Sequence, residues 1–394
     1  MLWQVMNALK LQEFHRHLGA RFSEVNGQEV VRDYGDWVAE QTALHHSAGL
    51  LDFSFRSRLC LVGADRARFL HGQVTNDVKK LRVGEGFYAT ITTTKGKMEG
   101  DLNVFCLADE LLLDFEPGLS GKISQRLEKY IVADDVQVVD AAPHYGLLSV
   151  QGPKAEGVIR ALGWFAEIPS QPLATVKLWD GTLGEILLAN HPRLAVLGSS
   201  RREEAPLNSA SQNGNPSVRA GITGYDLFIP QQSLSAVAER LMAATKGSGG
   251  CACGWRAHEA ARIEAGIPRY GADMDETNLP LECGLEGRAI SYTKGCYIGQ
   301  EVINRIHSVG HVNRELRGLR LAEDLKTLPQ RGDKLLHAGQ EVGQITSAVH
   351  SPWLKANLAL GLVRREANQI GTELRLQTAA GESHARIVAL PFTV

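Results

Sequence analysis

The chain has 394 residues, of which 44% are hydrophobic and 22% are charged. This length allows two or three domains, and this composition excludes global disorder. The 42 basic and 44 acidic residues leave a net charge of -2, which argues against a general nucleic-acid-binding protein. No apolar run reaches the roughly 18 residues of a membrane span, and the N-terminus lacks the residue order of a secretion signal. We therefore expect a cytoplasmic protein with neither nucleic acid nor membrane as a partner.

The predicted elements, in chain order, mix strands and helices without a regular alternation. An amphipathic helix is predicted at residues 1–19, and a second helix between residues 35 and 47. Asp65 stands where an N-cap would begin a helix over residues 66–71. Strands are predicted at 58–62, 87–93, 135–139 and 145–150, a hairpin is centred on Ala108 and Asp109, and a helix covers 121–131. This order favours an α+β fold over a doubly wound parallel sheet.

After Arg314 the pattern changes to short strands separated by turns, which predicts a small C-terminal β-barrel or sandwich. Earlier in the chain, the compositions of residues 199–218 and 245–254 are typical of loops. The second of these contains Cys251 and Cys253, whose CxC spacing differs from the CxxC of zinc and redox motifs. We expect the six cysteines to stay reduced, and we predict no metal site.

The most unusual stretch of the chain is KGCYIGQE. Its glycines permit a tight turn around Cys296, and Lys294, two residues earlier, would favour a thiolate. Gln300 is predicted to begin a helix. Two interpretations remain open, a reactive cysteine and a glycine-rich turn around a buried one, and the sequence places no partner histidine, although two histidines follow the motif. The residues singled out in this motif are Lys294, Gly295, Cys296, Tyr297, Gly299, Gln300 and Glu301.

Three other clusters place polar residues in predicted strands or helices. Asp226 lies among strand-forming residues, where its carboxylate could bind the N–H groups of an aminopyrimidine-type ring or serve a turn. Arg262 could hold an acidic ligand tail, and Glu264 could pair with Arg262 or Arg269, the alternative being a solvated helix face. Residues 87–105 predict two strands around a turn. The sequence contains no P-loop, HExxH or GxSxG motif.

Taken together, these residues resemble the glycine cleavage T-protein (aminomethyltransferase) superfamily. KGCYIGQE matches, at every fixed position, the K-G-C-Y-x-G-Q-E signature of its YgfZ-type tetrahydrofolate-binding proteins, which are linked to the maintenance of iron–sulfur enzymes. The segments GLLDFS, FLHGQVTND, GYD, RIEAG and ALGLV fit the wider superfamily in the same order. The resemblance extends from about residue 35 to the C-terminus.

The resemblance implies a GcvT-like α+β cloverleaf of three domains around a central folate channel. Two α+β subdomains, interleaved in sequence, would form residues 1–316, and a C-terminal β-barrel would form residues 317–394. The implied cofactor is tetrahydrofolate or a one-carbon derivative of it. By the same resemblance, Tyr88, Asp226 and Arg262 would contact the folate, and Asp226 stands where aminomethyltransferases have glutamate.

The candidate catalytic residues are Cys296, Lys294 and Asp101. Aminomethyltransferases carry an acidic pair in the segment that matches residues 96–101, and Gly100 replaces the first acid here, which argues against glycine cleavage. The leading hypothesis is therefore a tetrahydrofolate-binding accessory protein for iron–sulfur cluster assembly or repair, with iron–sulfur enzymes or assembly proteins as partners. The alternatives are a folate-dependent aminomethyl or methyl transferase or demethylase, and a scaffold that uses the fold for protein contacts.

Overall fold

The computed structural model describes residues 8–195 and 223–393. The predicted loop at 199–218 and the first residues of the predicted N-terminal helix lie outside the described residues. The described helices are α1 (Gln12–His17), α2 (Trp37–His46), α3 (Arg66–Gln73), α4 (Ser120–Glu128), α5 (Ala155–Ala161), α6 (Leu234–Gly247), α7 (Trp255–Glu264), α8 (Glu286–Ala289) and α9 (Gln300–Val309). The described strands are β1 (Arg21–Val25), β2 (Gln28–Asp33), β3 (Gly49–Asp52), β4 (Ser57–Val62), β5 (Gly86–Thr92), β6 (Met98–Cys106), β7 (Glu110–Phe115), β8 (Gln137–Asp140), β9 (Tyr145–Gly152), β10 (Thr175–Asp180), β11 (Gly184–Asn190), β12 (Thr223–Pro230), β13 (Cys251–Ala252), β14 (Arg314–Leu321), β15 (Lys334–His337), β16 (Gln340–Ser351), β17 (Ala356–Arg364), β18 (Glu373–Thr378) and β19 (Gly381–Val388).

Two sheets form the body of the molecule. The first has six strands in the order β10-β11-β12-β9-β3-β13, and the second has five in the order β5-β6-β7-β4-β8. The chain leaves the first sheet after β3, builds the second, and returns to the first at β9. The runs SRLCLV in β4 and ELLLDF in β7 are buried almost throughout, because apolar clusters pack against both faces of the second sheet.

The edge of the first sheet corrects the prediction of a continuous loop at residues 245–254. Cys251 and Ala252 form β13, which pairs in parallel with β3. The amide of Cys253 continues this pairing by donating to the carbonyl of Leu50 at 2.8 Å. The glycine-rich composition signals the turn before the strand, but the open edge of β3 then draws the following residues into the sheet.

The alternation of side chains along β6 positions the candidate site. Leu102 and Val104 belong to a buried apolar cluster that also contains Ile123 of α4. The alternate residues Asp101 and Asn103 lie on the wall of a cavity. Because successive side chains of a strand point to opposite faces, one strand supplies both a core face and a polar cavity wall.

Six strands close the C-terminal part into a barrel, in the order β14-β17-β16-β15-β18-β19. The barrel closes because β14 pairs with both β17 and β19, and closure leaves its strands without an open edge. Leu319, Leu335, Ile345 and Ile387 are fully buried within it. The predicted fold class, an α+β body followed by a β-barrel, is therefore confirmed.

Helix α7 joins the body to the barrel through buried polar contacts. Glu264 accepts hydrogen bonds from Gln41 Nε2 at 2.5 Å and from Ser351 Oγ at 2.6 Å, and it lies 2.9 Å from His45 Nε2. The suggested partners of Glu264 bind other carboxylates instead, Arg262 those of Glu259 and Asp273 and Arg269 those of Glu116 and Glu259. Residues two positions apart on a helix face different sides, so Glu264 and Arg262 meet different neighbours.

Candidate functional site

A cavity of about 430 Å³ lies where the two sheets and α7 meet. This volume is within the usual range for small-molecule sites. Its apolar lining includes Phe87, Leu173 and Ile267. Its polar lining consists of Arg56, Tyr88, Asp101, Asn103, Glu116, His191, Arg193, His258, Arg262, Arg269 and Arg288. Three of the residues predicted from sequence, Tyr88, Asp101 and Arg262, thus share one cavity wall.

Tyr88 and Asp101 form a hydrogen-bonded pair on neighbouring strands. The Tyr88 hydroxyl donates to Asp101 Oδ2 at 2.7 Å, and the guanidinium of Arg288 lies 4.9 Å from the Tyr88 ring. Asp101 Oδ1 is buried and has no hydrogen-bond partner among the described residues. Burial, reinforced by the nearby carboxylate of Glu116, raises the pKa of Asp101 to about 6. A carboxyl group with this pKa can both accept and release a proton near neutral pH.

A buried network of alternating charges holds the arginines of the wall. Arg56 donates to Asp114 at 2.8 Å and to Glu116 at 2.6 Å. Arg193 donates to Asp114 at 2.9 Å and to Asp226 at 2.7 Å. Asp114 therefore bridges two arginines that come from segments far apart in the sequence. Buried charges that are paired on several sides are fixed in position, so the wall is rigid before any ligand binds.

Asp226 lies one layer behind the cavity wall. It is fully buried, and its contacts to the cavity run through Arg193 and through His191, whose Nδ1 is 2.8 Å from Asp226 Oδ2. Burial alone would raise the pKa of Asp226, but Arg193 and His191 lower it below its ordinary value. Burial and Arg193 lower the pKa of His191, so its neutral ring donates from Nδ1 to the carboxylate.

Arg262 lines the cavity but is engaged by protein acceptors. It is 2% exposed. Its Nε and both terminal nitrogens bind Glu259, Asp273, Ser347 and the carbonyl of Ile267, in five hydrogen bonds of 2.5 to 3.2 Å. A guanidinium has five N–H groups, so this residue can act on a ligand through its charge but has no N–H group left to donate.

Sequence reasoning missed much of this wall, including His258 on α7. Burial lowers the pKa of His258 to about 3, so its ring is neutral, and its Nδ1 has no partner among the described residues. The arginines at 56, 193 and 288 were missed as well. One signal in the sequence could have pointed to these arginines. Asp114 is a charged residue within the apolar strand run LLLDF, and a buried charge requires a partner of opposite charge.

The KGCYIGQE motif lies outside this cavity wall. Cys296 is exposed, whereas Lys294 is buried and donates to the carbonyls of His71, Val74 and Asn76 at 2.5, 2.6 and 2.9 Å. Burial lowers the pKa of Lys294 to about 8. The three bonds use all three N–H groups of the ammonium, so Lys294 anchors the motif to α3 and the segment after it.

The turn after the cysteine requires glycine at one position. Gly299 has φ of +90°, and a Cβ there would lie 2.5 Å from Thr92 Oγ1 and 2.6 Å from the carbonyl oxygen of Thr93. Thr92 Oγ1 donates to the carbonyl of Ile298 at 2.6 Å. The motif therefore packs directly against the end of β5, and Gln300 begins α9 as predicted.

The histidine beside the motif is His71, which the sequence did not indicate. Its Nε2 lies 3.4 Å from where a Cβ on Gly295 would stand, and its Nδ1 lies 3.3 Å from Asp77 Oδ1. His307, which follows the motif in sequence, instead lies against Glu286. Proximity in sequence was misleading here because His307 lies in the last turn of α9, where it contacts Glu286.

Within residues 8–195 and 223–393, no group of three or more His, Cys, Asp and Glu side chains is placed to hold a metal ion. In the same part of the chain, none of the helices has the length and apolar character needed to cross a membrane.

Comparison with known proteins gives two family matches. The GCVT N-terminal domain matches residues 11–187 and 220–294, and the glycine cleavage T-protein C-terminal barrel domain matches residues 314–393. The predicted superfamily resemblance is therefore confirmed. Aminomethyltransferases of this family use tetrahydrofolate, in agreement with the predicted cofactor.

Individual relatives cover nearly the whole chain. An aminomethyltransferase of Halalkalibacterium halodurans is 26% identical over 97% of this chain and 96% of its own length. One from Symbiobacterium thermophilum is 28% identical over 97% and 96%. The crystal structure of glycine cleavage system aminomethyltransferase T from Bartonella henselae superposes with a TM-score of 0.83 at 20% identity, covering 98% of both chains. The structural likeness establishes the shared fold.

Proposed function

We propose that this chain, which belongs to the glycine cleavage T-protein family, binds tetrahydrofolate in the cavity and acts as a folate-dependent transferase of an aminomethyl or methyl group. The observation that carries the proposal is the Asp101–Tyr88 pair, a proton-exchanging group on the wall of a ligand-sized cavity. The sequence suggested an iron–sulfur accessory role and, as the alternative, a transferase. The relatives favour the transferase.

The cavity wall is suited to a flat heterocycle with an anionic tail. Phe87 and Leu173 offer apolar surface, while His191 and Arg193 offer polar groups held from behind by Asp226. The resemblance to aminomethyltransferases implies a glutamate in those proteins at the position of Asp226. The shorter aspartate pairs with Arg193 and His191, and we assign the pterin contact to these two side chains.

Asp101 is the residue to which we assign proton transfer. Tetrahydrofolate supplies amine nitrogens that carry one-carbon groups, and such a nitrogen releases a proton when it takes up the group. Asp101 is ionised above about pH 6 and would accept that proton. Tyr88 orients the carboxylate by its hydrogen bond to Oδ2. A positioned general base of this kind contributes about 10²–10⁴-fold in rate.

Calorimetry with tetrahydrofolate and its methylene form tests the binding. We expect saturable binding in the wild type, little change in Asp101→Asn, and weaker binding in Arg193→Ala. Transfer to or from the folate should fall by about 10²-fold or more in Asp101→Asn, while Asp109→Asn, in the exposed turn between β6 and β7, serves as the matched control. Absence of binding to both folates would refute the proposal.

A second candidate function, the YgfZ-type accessory role in iron–sulfur cluster assembly or repair, is favoured by a separate observation. Cys296 is exposed in a turn fixed by Lys294 and Gly299, outside the wall of the folate cavity. Complementation of a deletion strain distinguishes the two functions. If the accessory role holds, Cys296→Ser lowers iron–sulfur enzyme activity and leaves folate affinity unchanged, whereas full rescue by the serine variant would exclude it.

A further inference from the structure

Two cysteines at the edge of the first sheet hold their sulfur atoms close together. Cys251 Sγ and Cys253 Sγ are 4.0 Å apart, the first in β13 and the second at the residue that follows this strand. Side chains two positions apart in an extended strand point to the same face. The extended backbone at this edge therefore brings both sulfurs to one side, although the CxC spacing differs from that of the usual redox motifs.

A glycine in the neighbouring strand makes room for the buried sulfur. Gly49 of β3 pairs with Cys251, and a Cβ on Gly49 would lie 2.6 Å from Cys253 Sγ. A side chain at residue 49 would therefore displace this sulfur. Cys253 Sγ also lies 3.3 Å from the carbonyl oxygen of Glu40 in α2, and the residue is 1% exposed. The surrounding elements thus fix Cys253 in its place.

Cys251 has more room to move than Cys253. The amides of Cys253 and Gly254 donate at 2.8 Å to the Leu50 carbonyl and to Glu40 Oε2. Cys251 is partly exposed, and β13 is the last strand of its sheet in the described part of the chain. A disulfide requires an Sγ–Sγ distance of about 2.05 Å, so one sulfur must approach the other by about 2 Å from the present 4.0 Å. The Cys251 side chain, at the open edge, is the one that makes this approach.

The two thiols also differ in acidity. The hydrogen bond from the Cys253 thiol lowers the pKa of Cys251, against burial and the carboxylates of Glu40 and Asp36, which raise it. Burial raises the pKa of the Cys253 thiol well above its ordinary value. Cys251 is therefore the sulfur that ionises first, and its partial exposure lets it meet a reagent from solvent.

We propose that Cys251 and Cys253 form a dithiol redox site that small-molecule disulfides oxidise to an intramolecular disulfide. The Cys251 thiolate attacks one sulfur of the reagent, forms a mixed disulfide with it and expels the other sulfur as a thiolate. The Cys253 thiol then gives its proton to the expelled thiolate and attacks Cys251 Sγ, which releases the second thiolate. The protein thiols lose two electrons and two protons in total, and the reagent is reduced to two thiols.

This site is separate from the proposed folate chemistry. Neither cysteine is among the described residues that line the folate cavity, and neither belongs to the KGCYIGQE motif. The expectation that the cysteines stay reduced applies where no disulfide reagent is present.

Treatment of the folded full-length protein with oxidised glutathione tests the proposal, with free thiols blocked afterwards and tryptic peptides weighed by mass spectrometry. Trypsin cuts after Lys246 and Arg256, so the peptide of residues 247–256 carries both cysteines and no other. We expect this peptide to lose the mass of two hydrogen atoms and to take up no blocking reagent. Cys106→Ser, which removes another partly exposed cysteine, is the matched control and should leave the yield of the disulfide unchanged.

Single-cysteine variants assign the two roles. In Cys253→Ala the mixed disulfide has no second thiol to resolve it, so Cys251 should retain glutathione. In Cys251→Ser the buried Cys253 should react at least about tenfold more slowly than Cys251 does in Cys253→Ala. Equal rates in the two variants would overturn the assignment of Cys251 as the attacking sulfur.

The wild type decides the proposal without any variant. A peptide that keeps both thiols while the exposed Cys296 takes up glutathione would overturn it. Oxidation of the pair only after the protein is unfolded in urea would overturn it as well, because the folded protein would then not present the site.

Discussion

The hydroxyl of Tyr88 donates a 2.7 Å hydrogen bond to Asp101 across the neighbouring strands β5 and β6. This bond stabilises the ionised carboxylate and so lowers its pKa, against the larger effect of burial, which raises it. The balance places the carboxyl group at a pKa of about 6. The protonation of Asp101 on the cavity wall therefore depends in part on the hydrogen bond from the Tyr88 hydroxyl.

Transfer activity should rise with pH through an apparent pKa near 6, because the base form of Asp101 is the active one. Tyr88→Phe removes a hydrogen bond to the ionised form, so the apparent pKa should move upward. The pH–rate profiles of wild type and Tyr88→Phe measure this shift. A downward shift in the variant would contradict the assignment of Asp101 as the base.

Asp101→Asn should increase stability at pH 8 while lowering transfer by about 10²-fold or more. The folded-state pKa of Asp101 is raised, so the folded state binds its proton more tightly than the unfolded state does. The ionised group therefore destabilises the fold above pH 6, and this penalty fades as the pH falls towards 4. A pKa raised from 3.8 to about 6 corresponds to about 3 kcal/mol, so we expect a gain of up to about 3 kcal/mol at pH 8 that disappears near pH 4. Urea unfolding at the two pH values checks it, and a loss at pH 8 would contradict the burial argument.

Gly100→Asp should not create glycine-cleavage activity. A Cβ on Gly100 would lie 3.2 Å from Ile123 Cδ1, on the core side of β6 and opposite to Asp101. A carboxylate there enters an apolar cluster and should cost about 2 kcal/mol or more in the free energy of unfolding. Unfolding curves and an assay with lipoyl-carrier substrate measure both effects. Robust turnover by the variant would show that position 100 faces the cavity.

Arg193→Ala should destabilise the fold strongly because it leaves Asp114 and Asp226 with unbalanced buried charge. Breaking a buried ion pair from one side costs about 3–5 kcal/mol. Arg160→Ala removes an exposed pair with Glu156 and should cost under about 1 kcal/mol. Chemical denaturation of the two variants compares the sites directly, and equal costs would mean that the network is not coupled.

Cys296 should alkylate faster than Cys60 and Cys106 near neutral pH. Cys296 is exposed, whereas burial raises the pKa of the Cys60 and Cys106 thiols. Thiolates are the reactive form, so both burial and a raised pKa slow the reaction of Cys60 and Cys106. Mass-spectrometric labelling rates on the folded protein measure the order. Comparable rates at the three positions would show that the motif does not present its cysteine to solvent.

Local patterns were enough to predict several elements and the family. The alternation of apolar and polar residues predicted β5 and the strands of the barrel. The segments KGCYIGQE and RIEAG indicated the superfamily, because each of these signals lies within a short stretch of chain. The same patterns placed Tyr88, Asp101 and Arg262 as candidate site residues, whose roles remain predictions. The composition of residues 245–254 predicted a continuous loop, which was wrong for Cys251 and Ala252. These two residues pair with the open edge of β3.

Only the tertiary structure decided which groups meet. Asp226 pairs with Arg193, Asp114 bridges Arg56 and Arg193, and His71 rather than His307 lies beside the cysteine motif. These contacts cannot be predicted from the spacing of the residues in the sequence. The distances between the side chains are set by the register of the sheets and by the return of the chain to the first sheet. Since buried charges and carboxyl pKa values depend on such neighbours within a few ångströms, the chemistry of the site follows from the fold.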